Sequence, residues 1–102
     1  MNKYSLVIDN SLLEENTFLG MLIHPTNPEN GMLVLNSKSN ELMLQIYRIT
    51  LNSSSEFHIT KILTSKIFNT SREMNLFLEK FSNFKANQFT EFLNYHDNDQ
   101  LH

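Results

Sequence analysis

The sequence predicts an α+β fold: an antiparallel sheet of about five strands, a meander of hairpins, followed by a C-terminal amphipathic helix. Two observations carry that expectation. Over the first two-thirds of the chain, β-branched and large apolar residues recur in short runs between Asn/Ser clusters, the pattern of strands alternating with turns. From Thr70 onward the apolar spacing changes from a period of roughly 2 to roughly 3.6, that of a helix.

The elements follow in order. Residues 3–9 alternate, with Tyr4, Leu6 and Ile8 on one face of a first strand, and Asn10-Ser11-Leu12-Leu13-Glu14-Glu15 reads as one helical turn capped by Asn10. Residues 17–24 and 32–35 flank a proline loop, in which Asn30-Gly31 is expected to supply the positive backbone angles of a hairpin return. Residues 42–51 and 57–68 form the last two strands, set apart by Asn36-Ser37-Lys38-Ser39-Asn40 and Asn52-Ser53-Ser54-Ser55-Glu56, both made of turn formers. Thr70-Ser71-Arg72-Glu73 matches a capping box, with Thr70 accepting from the Glu73 amide. Met74, Phe77, Leu78 and Phe81 then fall on one helical stripe, which Phe84, Phe89, Phe92 and Tyr95 continue. Lys85 and Gln88 interrupt that stripe and Ser82, Asn83 and Asn87 are weak helix formers, so a break is expected near 82–88. The chain is expected to be one domain over 1–102, strand-rich over 1–69, helical over 70–96 and frayed over 97–102.

Symmetric turns at 36–41 and 52–56 fix a register. They pair Leu51 with Phe57, Ile49 with Ile59, Tyr47 with Lys61, Gln45 with Leu63 and Val34 with Met43 on one face. The other face pairs Thr50 with His58, Arg48 with Thr60, Ile46 with Ile62, Leu44 with Leu33 and Leu42 with Leu35. An antiparallel sheet covered on one side reads polar on the other, yet Leu33, Leu35, Leu42, Leu44, Ile46 and Ile62 keep this second face apolar. Either the sheet curls and covers them, or they meet a partner.

Composition narrows the chemistry. The 102 residues hold no cysteine, which removes thiolate zinc sites, thiol nucleophiles and disulfides and makes a reducing, cytoplasmic setting the expectation. No apolar run of about 18 residues is present to span a bilayer, and the first residues lack a signal-peptide pattern. A net charge of −3 disfavours a nucleic-acid partner, whose phosphates call for a basic face. Fourteen asparagines against one alanine fit an AT-rich genome, bacterial or phage. Of the histidines, His24, His58, His96 and His102, none has metal-ligand spacing. Glu14-Glu15 diverge on either a helix or a strand, and His96-Asp97-Asn98-Asp99 lacks the glycine and distant glutamate of a calcium loop. With only Gly20 and Gly31 there is neither a nucleophile elbow nor a phosphate-cradling loop.

The sequence therefore leads to a non-enzymatic protein-binding domain of the inhibitor, immunity or adaptor type, without cofactor, metal, nucleic acid or membrane. Its expected contact surface is Leu33, Leu35, Leu42, Leu44, Ile46 and Ile62, with Arg48 and His58 orienting the partner at the rim. The alternatives are a homodimeric chaperone or accessory factor that uses the same surface on itself, and a small ligand binder or enzyme with His58 or Tyr47 as its polar group.

Overall fold

The computed structural model describes residues 5–99. In chain order these form β1 (Ser5–Val7), α1 (Asn10–Glu15), β2 (Asn16–Ile23), β3 (Asn30–Ser37), β4 (Met43–Leu51), β5 (Glu56–Ile67), α2 (Ser71–Ser82) and α3 (Ala86–Asp99). The α+β class holds, and β2 to β5 form the antiparallel meander. β1, however, lies parallel to β5, so the five-stranded sheet is mixed, in the order β1-β5-β4-β3-β2. Alternation records which face a residue takes and not which way its strand runs, so the parallel edge had no signal. Tyr4 of the first predicted strand lies outside the described residues.

The chain thus leaves β1 on one edge, crosses through α1 and enters β2 on the opposite edge. A flat sheet of five strands would hold those edges roughly 19 Å apart. The six-residue α1 rises about 9 Å and Ile8-Asp9 add roughly 7 Å when extended, so the connection has no slack to pass over the face of a flat sheet and favours a curled one. Bulges in β5, where the pairing with β4 slips at Thr60 and again at Leu63, add to the bend. Asp9, not Asn10, is the residue before the first helical turn, and it makes no side-chain cap. Asn16 closes the other end, its amide side chain donating to the Leu12 carbonyl at 3.1 Å.

Both faces of the sheet are covered. On one, Met32, Val34, Leu44, Ile46 and Leu63 meet Phe68, Phe81, Phe89 and Leu93, with Met74, Phe77, Leu78, Phe84 and Phe92 packed around them. On the other, Leu33, Leu35, Ile49 and Phe57 form a second core closed by Leu6 and Ile8, by Leu12 of α1, and by Met21, Ile23, Tyr47, Leu51 and Ile59.

This division follows from the register. At the 52–56 turn the expected pairs form: Leu51 with Phe57, Thr50 with His58, Ile49 with Ile59. Beyond the bulges Arg48 faces Lys61, Tyr47 faces Ile62, Ile46 faces Thr64 and Gln45 faces Ser65, not Thr60, Lys61, Ile62 and Leu63. Between β3 and β4, Val34 faces Ile46 instead of Met43 and Leu35 faces Gln45 instead of Leu42. The cause is that Asn36 and Ser37 continue the strand. Asn36 Nδ2 donates to the carbonyls of Glu41 and Met43 at 3.1 and 2.9 Å, and Ser37 Oγ accepts from the amides of Ser39 and Asn40 at 3.2 Å each. The register of β4 against β3 shifts by three residues, an odd number, and that exchanges the faces.

The proline loop also differs from expectation. Neither glycine has a positive φ, and Asn30-Gly31 opens β3. The return is held instead by the His24 ring, whose Nδ1 accepts from the amides of Thr26 and Asn27 at 3.2 and 3.1 Å. Gly31 is required by packing: a Cβ there would stand 2.8 Å from the Leu22 carbonyl oxygen and 3.0 Å from Ile49 Cγ1. The one positive φ among the described non-glycine residues is that of Ser55, at 61°, in the β4–β5 turn.

At the start of α2 Thr70 Oγ1 accepts from the Glu73 amide at 3.1 Å, as the capping box requires. The expected break falls at 83–85. Asn83 Nδ2 donates to the Glu79 carbonyl at 2.8 Å, and the Lys85 amide to Gln88 Oε1 at 2.8 Å, which caps α3. The bend returns Phe89 and Leu93 to the core. α3 continues to Asp99, so 97–99 are helical where a frayed tail was expected, and 100–102 lie outside the described residues.

Candidate functional site

The sequence-derived contact surface does not assemble as one patch. Leu44 and Ile46 lie under the helices, whereas Leu33 and Leu35 belong to the opposite core, and all four have no exposed surface in the folded chain. Leu42 is half-buried, its carbonyl accepting from the Phe68 amide at 2.9 Å. Ile62 is 38% exposed but stands apart from them, opposite Tyr47. Arg48 Nη2 donates to Asn30 Oδ1 at 3.2 Å. His58 pairs across β4 with Thr50, as expected, and sits in an exposed polar cluster with Asn52 Nδ2 at 2.9 Å and Glu56 Oε1 at 3.6 Å from its Nε2. That cluster belongs to the hairpin turn, where Asn52 Oδ1 also accepts from the amides of Ser54 and Glu56.

Tyr47 lies on the second core, its hydroxyl donating to Gln45 Oε1 at 2.7 Å. Burial, and secondarily the carboxylate of Glu15, push its phenol above the usual value. His24 is buried at the other end of the sheet. Its two backbone donors make Nδ1 an acceptor, which assigns the proton to Nε2, and Nε2 donates to Thr90 Oγ1 of α3 at 2.8 Å. The Phe89 ring stands edge-on at 4.8 Å. This histidine ties the proline loop to α3 and is fully engaged in doing so. Among the described residues, no three His, Asp or Glu side chains gather where they would hold a metal ion.

An open apolar surface lies along β2. β2 ends the sheet, so one side of its backbone pairs with β3 and the other has no neighbouring strand among the described residues. Natural edge strands are usually guarded by charge, by proline or by a bulge that twists the edge away. None of the eight residues of β2, Asn-Thr-Phe-Leu-Gly-Met-Leu-Ile, is charged or proline. A bulge at Leu19 is its one irregularity, and Phe18 and Leu19 remain 47% and 43% exposed. Beside the strand runs a groove of about 520 Å³, with residues 19–22 of β2 and Val34 on the sheet side and Leu78 and Phe81 on α2. Asn75, Glu79 and Ser82 supply its polar part. Gly20 leaves the floor open: a Cβ built there would meet no heavy atom within 4 Å.

The sequence carried one sign of this surface, an uncharged strand interrupted by glycine. Its position at a free edge depends on β1 crossing to the far side of the sheet, which no local pattern records. Compared with protein-family models, with curated proteins and with solved structures, the chain matches none of them.

Proposed function

We propose that this chain is a non-enzymatic protein-binding domain, of the inhibitor, immunity or adaptor type, and that it receives an extended segment of its partner on the outer edge of β2. The observation that carries this reading is the uncharged, proline-free edge lying beside an open groove. An added strand satisfies the outward backbone groups of β2 and places alternate side chains on its two faces. On one face they reach the groove between Leu19 and Leu78, and on the other they cover Phe18. A helix laid in the groove would cover the first face only. Main-chain pairing supplies affinity and the notch over Gly20 supplies selectivity, because it admits a large apolar side chain beside Glu79.

Site-specific photo-crosslinking in the native host tests this. A photoreactive side chain replacing Leu19 is expected to give a defined protein adduct. The same group replacing Leu76, which is 49% exposed on α2 but does not line the groove, is expected to give none. An adduct from position 76 and none from position 19 would overturn the proposal.

A further inference from the structure

We infer that the strand received on this edge is β2 of a second copy, paired antiparallel about a two-fold axis that passes between Leu19 and Gly20. The inference rests on the reading of the β2 edge given above and names its occupant.

Residues paired across an antiparallel ladder share a face of the sheet. In β2 the faces are set by the partners in β3. Gly20 and Leu22 face Val34 and Met32 of the helix-covered core, whereas Phe18, Met21 and Ile23 lie opposite Leu35, Leu33 and Gly31 on the other side. The bulge breaks simple alternation. It brings Leu19 to the groove together with its neighbour Gly20, so two successive residues take the helix side. Thr17, opposite Asn36 and beside Ser71 and Met74, is on that side too.

A strand with this irregularity pairs with itself in few ways. With the axis between Leu19 and Gly20, Leu19 stands opposite Gly20, Phe18 opposite Met21, Thr17 opposite Leu22 and Asn16 opposite Ile23. Every pair then shares a face. Moving the axis onto Gly20 sets Leu19 against Met21 and Phe18 against Leu22, on opposite faces in both cases. The matched register also joins complementary shapes, because the exposed Leu19 of each copy meets the position where Gly20 leaves space for a side chain. No charged residue occurs in β2, so the two-fold axis brings no like charges together. Each groove is completed by a leucine of the other copy, and an isologous contact of this kind closes on itself as a dimer. A heterologous strand then competes with the second copy for the same edge.

Sedimentation of the purified chain from micromolar to millimolar concentration tests the inference. The sedimenting mass is expected to double as concentration rises. Leu19→Glu sets a second carboxylate beside Glu79 of each groove and is expected to weaken the dimer by about 100-fold or more. Phe18→Lys, on the other face of the same edge, is expected to weaken it as well, and circular dichroism establishes that both variants fold. A parent protein that stays monomeric to millimolar concentration overturns the second copy as occupant, while the edge itself is still judged by crosslinking at position 19. A dimer of unchanged strength in both folded variants overturns the inferred register and counts against the β2 edge as the receiving surface.

Discussion

Gly20→Ala and Gly31→Ala are the same chemical change in adjacent strands, and they are expected to act with opposite sign. Neither glycine has a positive φ, so alanine fits the backbone at both positions. At Gly20 a Cβ meets nothing within 4 Å. Alanine there acts mainly by restricting the unfolded chain, a gain of about 0.4–1 kcal/mol. At Gly31 the same gain is opposed by contacts of 2.8 Å with the Leu22 carbonyl oxygen and 3.0 and 3.2 Å with Ile49 Cγ1 and Cδ1. The first is backbone of the neighbouring strand and the second belongs to a side chain with no exposed surface, so neither yields easily. Overpacking of this kind costs about 1–3 kcal/mol, which leaves a net loss of about 1 kcal/mol or more. The two variants should then differ by about 2 kcal/mol. With a urea slope of about 1–2 kcal/mol per molar, the midpoints stand about 1 M or more apart at equal slope. Urea unfolding followed by far-UV circular dichroism reads this directly, at concentrations low enough to keep the chain monomeric. A Gly20→Ala variant no more stable than Gly31→Ala would refute the open groove at one glycine and the tight packing at the other.

Ser55→Gly should stabilise the chain by about 1 kcal/mol, because a non-glycine residue at φ 61° bears a steric cost that glycine does not; a thermal melt reads the gain. The double variant Leu44→Asp, Ile46→Asp places carboxylates where the parent side chains have no exposure, and it is expected to abolish folding altogether, which circular dichroism checks. Tyr47 favours its neutral form more in the folded chain than in the unfolded one, chiefly through burial. Its contribution is therefore present in full below the unfolded value near about 10 and is lost as pH rises through the higher folded value. Tyr47→Phe should flatten that alkaline loss, measured as the difference in urea midpoint between parent and variant from pH 8 to about 11.

Much of the fold was legible because its signals are local. Thr70 and Glu73 mark the start of α2, the weak helix formers around Asn83 mark its end, and the Asn52 turn fixes the neighbouring pairs of β4 and β5. What escaped depends on tertiary context. The slips at Thr60 and Leu63 carry no glycine or proline to announce them. Asn36 and Ser37 read as turn residues, yet their side chains bond the loop that follows and leave their own backbone free to extend β3. These local changes together move Leu33 and Leu35 away from Leu44 and Ile46, which dissolves the single apolar face the sequence suggested. The surface at β2 depends in turn on the parallel pairing of β1 with β5, a contact between residues some fifty positions apart.

Amide hydrogen exchange, compared between dilute protein and its associated form, tests the central claim most directly. If β2 is joined at its outer edge, the outward-facing amides within Asn16–Ile23 gain protection on association while those of β1 and α3 keep theirs. Protection gained on α3 or along β1, with the β2 amides unchanged, would contradict it.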